Sequence, residues 1–164
     1  MLDPLASTNA QHYYPILRKA EVFLNYAEAA NEAWGPKGKD PDGICKFTAY
    51  QVIKTIRQTS GGITDTKYLD EMAASKESFR ILIQNERRLE LAFENQRYYD
   101  MRRCLLPLNE AVKGVLVTKE GDDLIYTFQK VEDRKFDGIR YYYSPLPYYE
   151  CVKNPNLVNN LGWK

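Results

Sequence analysis

ILIQNERRLELAFENQRYYDMRRC, residues 81–104, is the stretch on which the fold turns. Neither glycine nor proline interrupts it, and its leucines, isoleucines and aromatic residues recur at helical spacing. An α-helix advances about 100° per residue. On that wheel Phe79, Ile83, Phe93 and Met101 share one side, with Glu86, Glu90 and Arg97 set between them. Ile81, Leu91, Ala92, Tyr98 and Tyr99 cover much of the remainder. A helix that is apolar nearly all round is a buried helix. The carboxylates on it are therefore expected to be buried or half-buried as well.

A lone buried carboxylate costs several kcal/mol or takes up a proton. Arginine resolves the conflict, because its planar fork holds a carboxylate through two parallel hydrogen bonds. The stretch supplies Arg87, Arg88, Arg97, Arg102 and Arg103, and Arg57 lies on a neighbouring predicted helix. Two readings compete. Glu86 and Glu90 could form an acid/base pair of the kind that cleaves glycosides. Against this, they stand one turn apart on a single helix, and nearby guanidiniums favour the charged carboxylate, whereas a catalytic acid must hold its proton. The favoured reading is a structural polar network of Glu86, Arg87, Glu90, Arg97, Asp100 and Arg102. On that reading Glu86, Glu90 and Arg97 hold the long helix to the tail, with Asn154, Asn156 and Asn160 as further partners, and Arg97→Ala costs about 3–5 kcal/mol by stranding an acid.

Working outward, Ser75 is placed to cap the long helix, which is predicted over about 76–105, before Pro107 ends the region. Upstream, residues 1–14 read as irregular, and Pro15 suits a first helical position. Leu17, Ala20, Leu24, Ala27 and Asn31 then recur at helical spacing until Gly35-Pro36 stops the run. The segment GPKGKDPDG, 35–43, is a loop by composition. Thr48 and Gln51 form a capping box, so a second helix is predicted from there to about Gln58, and a short helix falls within 66–74. From Gly114 the period changes to two. Val115 and Val117, then Leu124, Tyr126 and Phe128, predict a hairpin turning near Glu120–Asp123. The tail from Tyr141 is expected to be extended but packed.

The chain has 164 residues, room for one domain with a real core. Lys+Arg is 23 against Asp+Glu 22, with no long basic run, which argues against nucleic acid and against electrostatic membrane binding. No apolar run is long enough to span a bilayer, and no signal peptide is read at the start, so the chain is expected to be an excised piece of something longer. Cys45, Cys104 and Cys151 are dispersed and odd in number, which gives no disulfide framework.

Other chemistry finds little support. His12 is the sole histidine and sits in the irregular N-terminal arm. Ser144 lies in SPLP, not in a nucleophile elbow. Asp40-Pro41-Asp42-Gly43 opens like a calcium loop, but Cys45 stands where glycine is needed and Gln51 where glutamate is needed. Phosphate-binding glycine loops and Cys/His metal spacings are lacking, so no cofactor or metal is expected. Trp34 beside Gly35-Pro36 could stack on a sugar, but packing against the neighbouring turn is the favoured reading.

Three stretches taken together resemble one family. LRKAEVFLNYAEAANEAWG, 17–35, FRILIQNERRLELAFENQRYYDMRR, 79–103, and SPLPYYECVKNPNLVNNLGW, 144–163, are similar in order and content to signatures of the SusD/RagB outer-membrane nutrient-binding lipoproteins. Leu146 and Asn159 replace the usual isoleucine and glutamine, and Tyr148-Tyr149 is bulkier than the common polar pair. The resemblance implies a mainly α fold of tetratricopeptide-like helical pairs, the first formed by 15–34 with 48–58, plus a small β-hairpin and an extended, loop-rich C-terminal tail. It implies a single domain over 1–164, helical over 15–105 with hairpin and tail over 112–164, equivalent to the C-terminal portion of a family member. It further implies a non-catalytic, surface-exposed outer-membrane protein that captures a glycan or other nutrient and passes it to a SusC-like TonB-dependent transporter. Membrane association would come from a lipid anchor absent from this chain. No sugar-contacting residue is carried over. The alternative is a helical-repeat protein-interaction module without its own ligand site.

Overall fold

The computed structural model describes residues 16–136 and 138–163. The expectations for His12, for residues 1–14 and for Pro15 lie outside them. The chain divides into two compact units, one ending at Glu94 and the other beginning at Asn95. It is mainly helical, with one small antiparallel hairpin, as the sequence predicts.

The first unit is all helix and loop. α1 spans Lys19–Trp34, α2 Ala49–Thr59, α3 Lys67–Met72 and α4 Lys76–Glu90. α1 packs on both α2 and α4. Leu24, Ala27 and Ala30 come from one face of α1, Val52, Ile53 and Ile56 from α2, and Phe79, Leu82 and Ile83 from α4, and together they form a single buried core. The alanines let the helix axes approach, while the large residues opposite them fill the space. Trp34 is partly buried and packs against this core, as the packing reading expects.

Helix starts follow local chemistry. The Thr48 hydroxyl accepts from the Gln51 N–H at 3.2 Å, and the Gln51 side-chain oxygen accepts from the Thr48 N–H at 2.9 Å, so two otherwise orphaned donors are satisfied. Ser75 and Ser78 make the same reciprocal arrangement at the head of α4. After α1 the chain folds back tightly. A Cβ at Gly38 would lie 1.9 Å from the Trp34 carbonyl oxygen, so only glycine fits the turn.

The predicted long helix is two helices. α4 ends at Glu90, and α5, Gln96–Arg103, begins after a break in which Phe93 and Asn95 both take left-handed backbone angles (φ 66° and 62°). Phe93, expected on the buried face, is fully exposed at 102%. Ile81, Tyr98 and Tyr99 are exposed too, whereas Leu91 is buried.

In the second unit, α5 is followed by β1, Val112–Glu120, and β2, Asp123–Glu132, paired antiparallel with one irregularity after Val112. The turn falls at Gly121-Asp122, where Gly121 supplies the positive φ that a tight hairpin needs. Pairing Val115 with Phe128 and Val117 with Tyr126 places these side chains on one face, as the alternation predicts. The tail is less extended than expected: a 3-10 turn at Ile139–Tyr142 and a short helix, α6, at Tyr148–Lys153 interrupt it. Among the described residues no helix is long and apolar enough to cross a membrane.

Candidate functional site

The charged residues singled out in the sequence fall into two groups, one in each unit. Glu86 and Arg87 sit side by side in the last turns of α4, 7% and 4% exposed. Adjacent residues on a helix point about 100° apart, so each reaches a different neighbour. Glu86 accepts from the Arg57 guanidinium on α2. Arg87 donates to the Asn25 side-chain oxygen on α1 at 2.5 Å. Glu90, one turn on, is met by Arg18, which also lies 2.8 Å from Glu94 and donates to the Glu90 carbonyl. Glu94 beside it pushes the Arg18 pKa up from its ordinary value.

At the other end of α4, Arg80 grips Glu32 of α1 through one guanidinium edge, Nε and Nη2 donating to the two carboxylate oxygens at 2.6 and 2.7 Å. This bidentate pairing, with help from Lys76, holds the Glu32 carboxyl below the usual range. Buried Asn31 donates to the Lys76 carbonyl at 3.0 Å. α4 is thus tied to α1 toward both of its ends, and to α2 through Arg57, by polar groups flanking an apolar core.

The second group lies on α5. Asp100 is 4% exposed and is held by Arg103, three residues on, at 2.7 Å. Arg102 turns back over the Tyr98 ring, 3.5 Å from its centroid, and donates to the Tyr98 carbonyl at 3.1 Å. Arg97 is half-buried on the same helix and takes part in no ion pair among the described residues.

These positions alter the pairing expected from sequence. Glu86 and Glu90 take their cations from α2 and from the residue before α1, not from Arg97 and the tail. The helix break after Glu90 removes the seven-residue register that aligned Glu90 with Arg97. Nor do the asparagines of the tail serve the long helix. Asn154 accepts from the Asn156 N–H, and Asn160 donates to the Ser144 carbonyl at 2.7 Å, so the tail ties itself together. Arg18, Asn25, Glu32 and Arg80 were missed as network members. Their signal was present: Arg18, Asn25 and Glu32 occupy polar positions beside the apolar face of α1, and each needed a partner from another helix that sequence spacing does not supply.

The remaining candidates resolve simply. Asp40 caps its own loop, accepting from the Asp42 and Cys45 N–H groups at 3.0 and 2.8 Å, and these bonds hold its carboxyl low. Its oxygens are occupied as in an ordinary Asx turn. Among the described residues no group of three or more His, Cys, Asp or Glu is placed to hold a metal. Among the described residues, Cys45, Cys104 and Cys151 form no disulfide. Chemically, this arrangement clasps helices: Glu32, Glu86, Glu90 and Asp100 each direct lone pairs to a guanidinium from a neighbouring turn or element.

The sequence matches the model of the SusD family over residues 3–163. The chain belongs to the SusD family. It is 31% identical over 161 residues to "SusD-like protein P2" of Formosa agariphila, a match covering 96% of this chain and 26% of that protein. The chain therefore spans about a quarter of the length of that SusD relative. No solved structure matches. The SusD match runs across both compact units, and the three motif stretches fall on α1, on α4 with α5, and on the tail.

Proposed function

We propose that this chain is the C-terminal portion of a SusD-type glycan-binding protein, held at the outer membrane by a lipid anchor and exposed at the cell surface. It takes part in capturing an oligosaccharide and passing it to a SusC-like TonB-dependent transporter, and it performs no catalysis. Residues 1–164 act as one piece, because the family match is continuous across both units. That match over 3–163 is the observation that carries the reading. The paired carboxylates support its non-catalytic half: Glu86 and Glu90 are each engaged by an arginine, whereas a glycosidase needs one carboxyl free to donate a proton.

The test is retention of glycans by the full-length gene product in affinity electrophoresis, alongside a hydrolysis assay. The reading expects retarded migration on at least one polysaccharide and no released sugar. Hydrolysis that disappears in Glu86→Gln would replace it with a glycosidase.

A second reading, a helical module that docks on protein without its own ligand site, is favoured by the exposure of Ile81, Leu89 and Phe93. Co-elution of the chain with the transporter, together with failure of the full-length protein to retain any glycan, would select it.

A further inference from the structure

Within the second unit, α5 and the segment following β2 border a hollow of about 270 Å³ lined by Tyr98, Met101, Arg102, Leu108, Arg134 and Phe136. Its lining is uneven in a telling way. Met101 and Leu108 are buried and give it an apolar side. Tyr98 and Phe136 bring partly exposed rings. Among the described residues, two guanidiniums line it and no carboxylate does.

The two arginines differ in their state. Arg102 is already oriented by its stack on Tyr98 and its bond to the Tyr98 carbonyl. Arg134 is exposed, with no hydrogen bond or ion pair to any described residue. The acid beside it, Asp133, is occupied by Lys130 at 2.7 Å. Two like charges bordering one small space repel each other, and an anion placed between them removes that cost.

We infer that this hollow binds one acidic sugar unit, its carboxylate or sulfate ester held by Arg102 and Arg134 and its C–H face laid on the Tyr98 or Phe136 ring. The volume sits just below the range of ligand clefts, about 300–1,000 Å³, so it takes a single ring and not a length of oligosaccharide. An inorganic anion would use the guanidiniums and leave the apolar side and the Phe136 ring without a partner in the ligand. The choice of a sugar over another ring-bearing acid rests on the glycan reading above; the choice of an anion rests on the hollow itself.

The test is an NMR titration of the full chain with four probes: glucuronate, glucose 6-sulfate, glucose and inorganic sulfate. Saturable shifts at Arg102 and Arg134 are expected with at least one acidic sugar, and a response to only one of the two identifies the anion. Glucose should bind roughly tenfold or more weaker, the scale of a lost charged hydrogen bond. Added salt should weaken the acidic sugars. Arg134→Gln should lose roughly tenfold or more, Arg134→Lys should keep part of the affinity, and both should melt with the parent chain because the residue is exposed. The inference is overturned by glucose binding as tightly as the acidic sugars, by inorganic sulfate matching them, by an unchanged Arg134→Gln, or by no saturable shift with any probe. Those results would leave the family reading standing, since it is judged by glycan retention of the full-length protein.

Discussion

At Phe93 an unbranched, bulky residue adopts a left-handed backbone angle while its ring is wholly in solvent. Left-handed geometry costs a residue with a Cβ roughly 1–2 kcal/mol, and a glycine loses about 0.5–1 kcal/mol through its larger unfolded freedom. The ring contributes no burial within the chain to offset this. Phe93→Gly should therefore raise stability by about 0.5–1 kcal/mol, read as a higher urea midpoint with unchanged slope. Glu32 carries a prediction of a different kind. Arg80 holds its folded carboxyl below the ordinary range, so its contribution is present above the unfolded carboxylate pKa of about 4.3 and is lost as pH falls through the lower folded value. Glu32→Gln should be less stable than the parent near neutrality, and the two urea midpoints should converge on acidification below about pH 4. A gap that widens in acid would contradict the assignment.

At the scale of elements, side-chain caps fix the starts of α2 and α4. The Thr48–Gln51 box starts α2 where the sequence placed it, and Thr48→Ala should lower stability by about 1 kcal/mol in urea unfolding. Its buried side chain and two reciprocal bonds give the substitution no compensating gain. Ser75, the short third helix and the hairpin were legible for the same reason: capping groups, period and turn residues act locally. The break at 91–95 was not. Leu-Ala-Phe-Glu-Asn has helical composition and lacks glycine and proline, and only Asn95, which tolerates the left-handed region better than most residues, hinted at it. The cost of that break is met by contacts distant in sequence, which period and propensity do not see. The ionic partners were half legible. Burial of Glu86 followed from its neighbours on the helix wheel, but Arg18 lies 72 residues from Glu90, and only packing of α1 on α4 brings them together.

At the scale of the whole molecule, the first unit is built by helices clasped through carboxylate–guanidinium pairs around an apolar core. Such pairs are costly to bury and costlier to halve. Removing one partner strands a charge, whereas replacing both with apolar residues of similar size restores a packed interior. Arg57 and Glu86 suit this comparison best, since their side chains are only 12% and 9% exposed and they join α2 to α4. Urea unfolding of Arg57→Met, Glu86→Leu and the double variant is the most direct measurement of whether these groups serve the scaffold. Each single variant should lose about 3–5 kcal/mol and the double variant should recover most of it; single variants that unfold at the parent's midpoint would contradict the account.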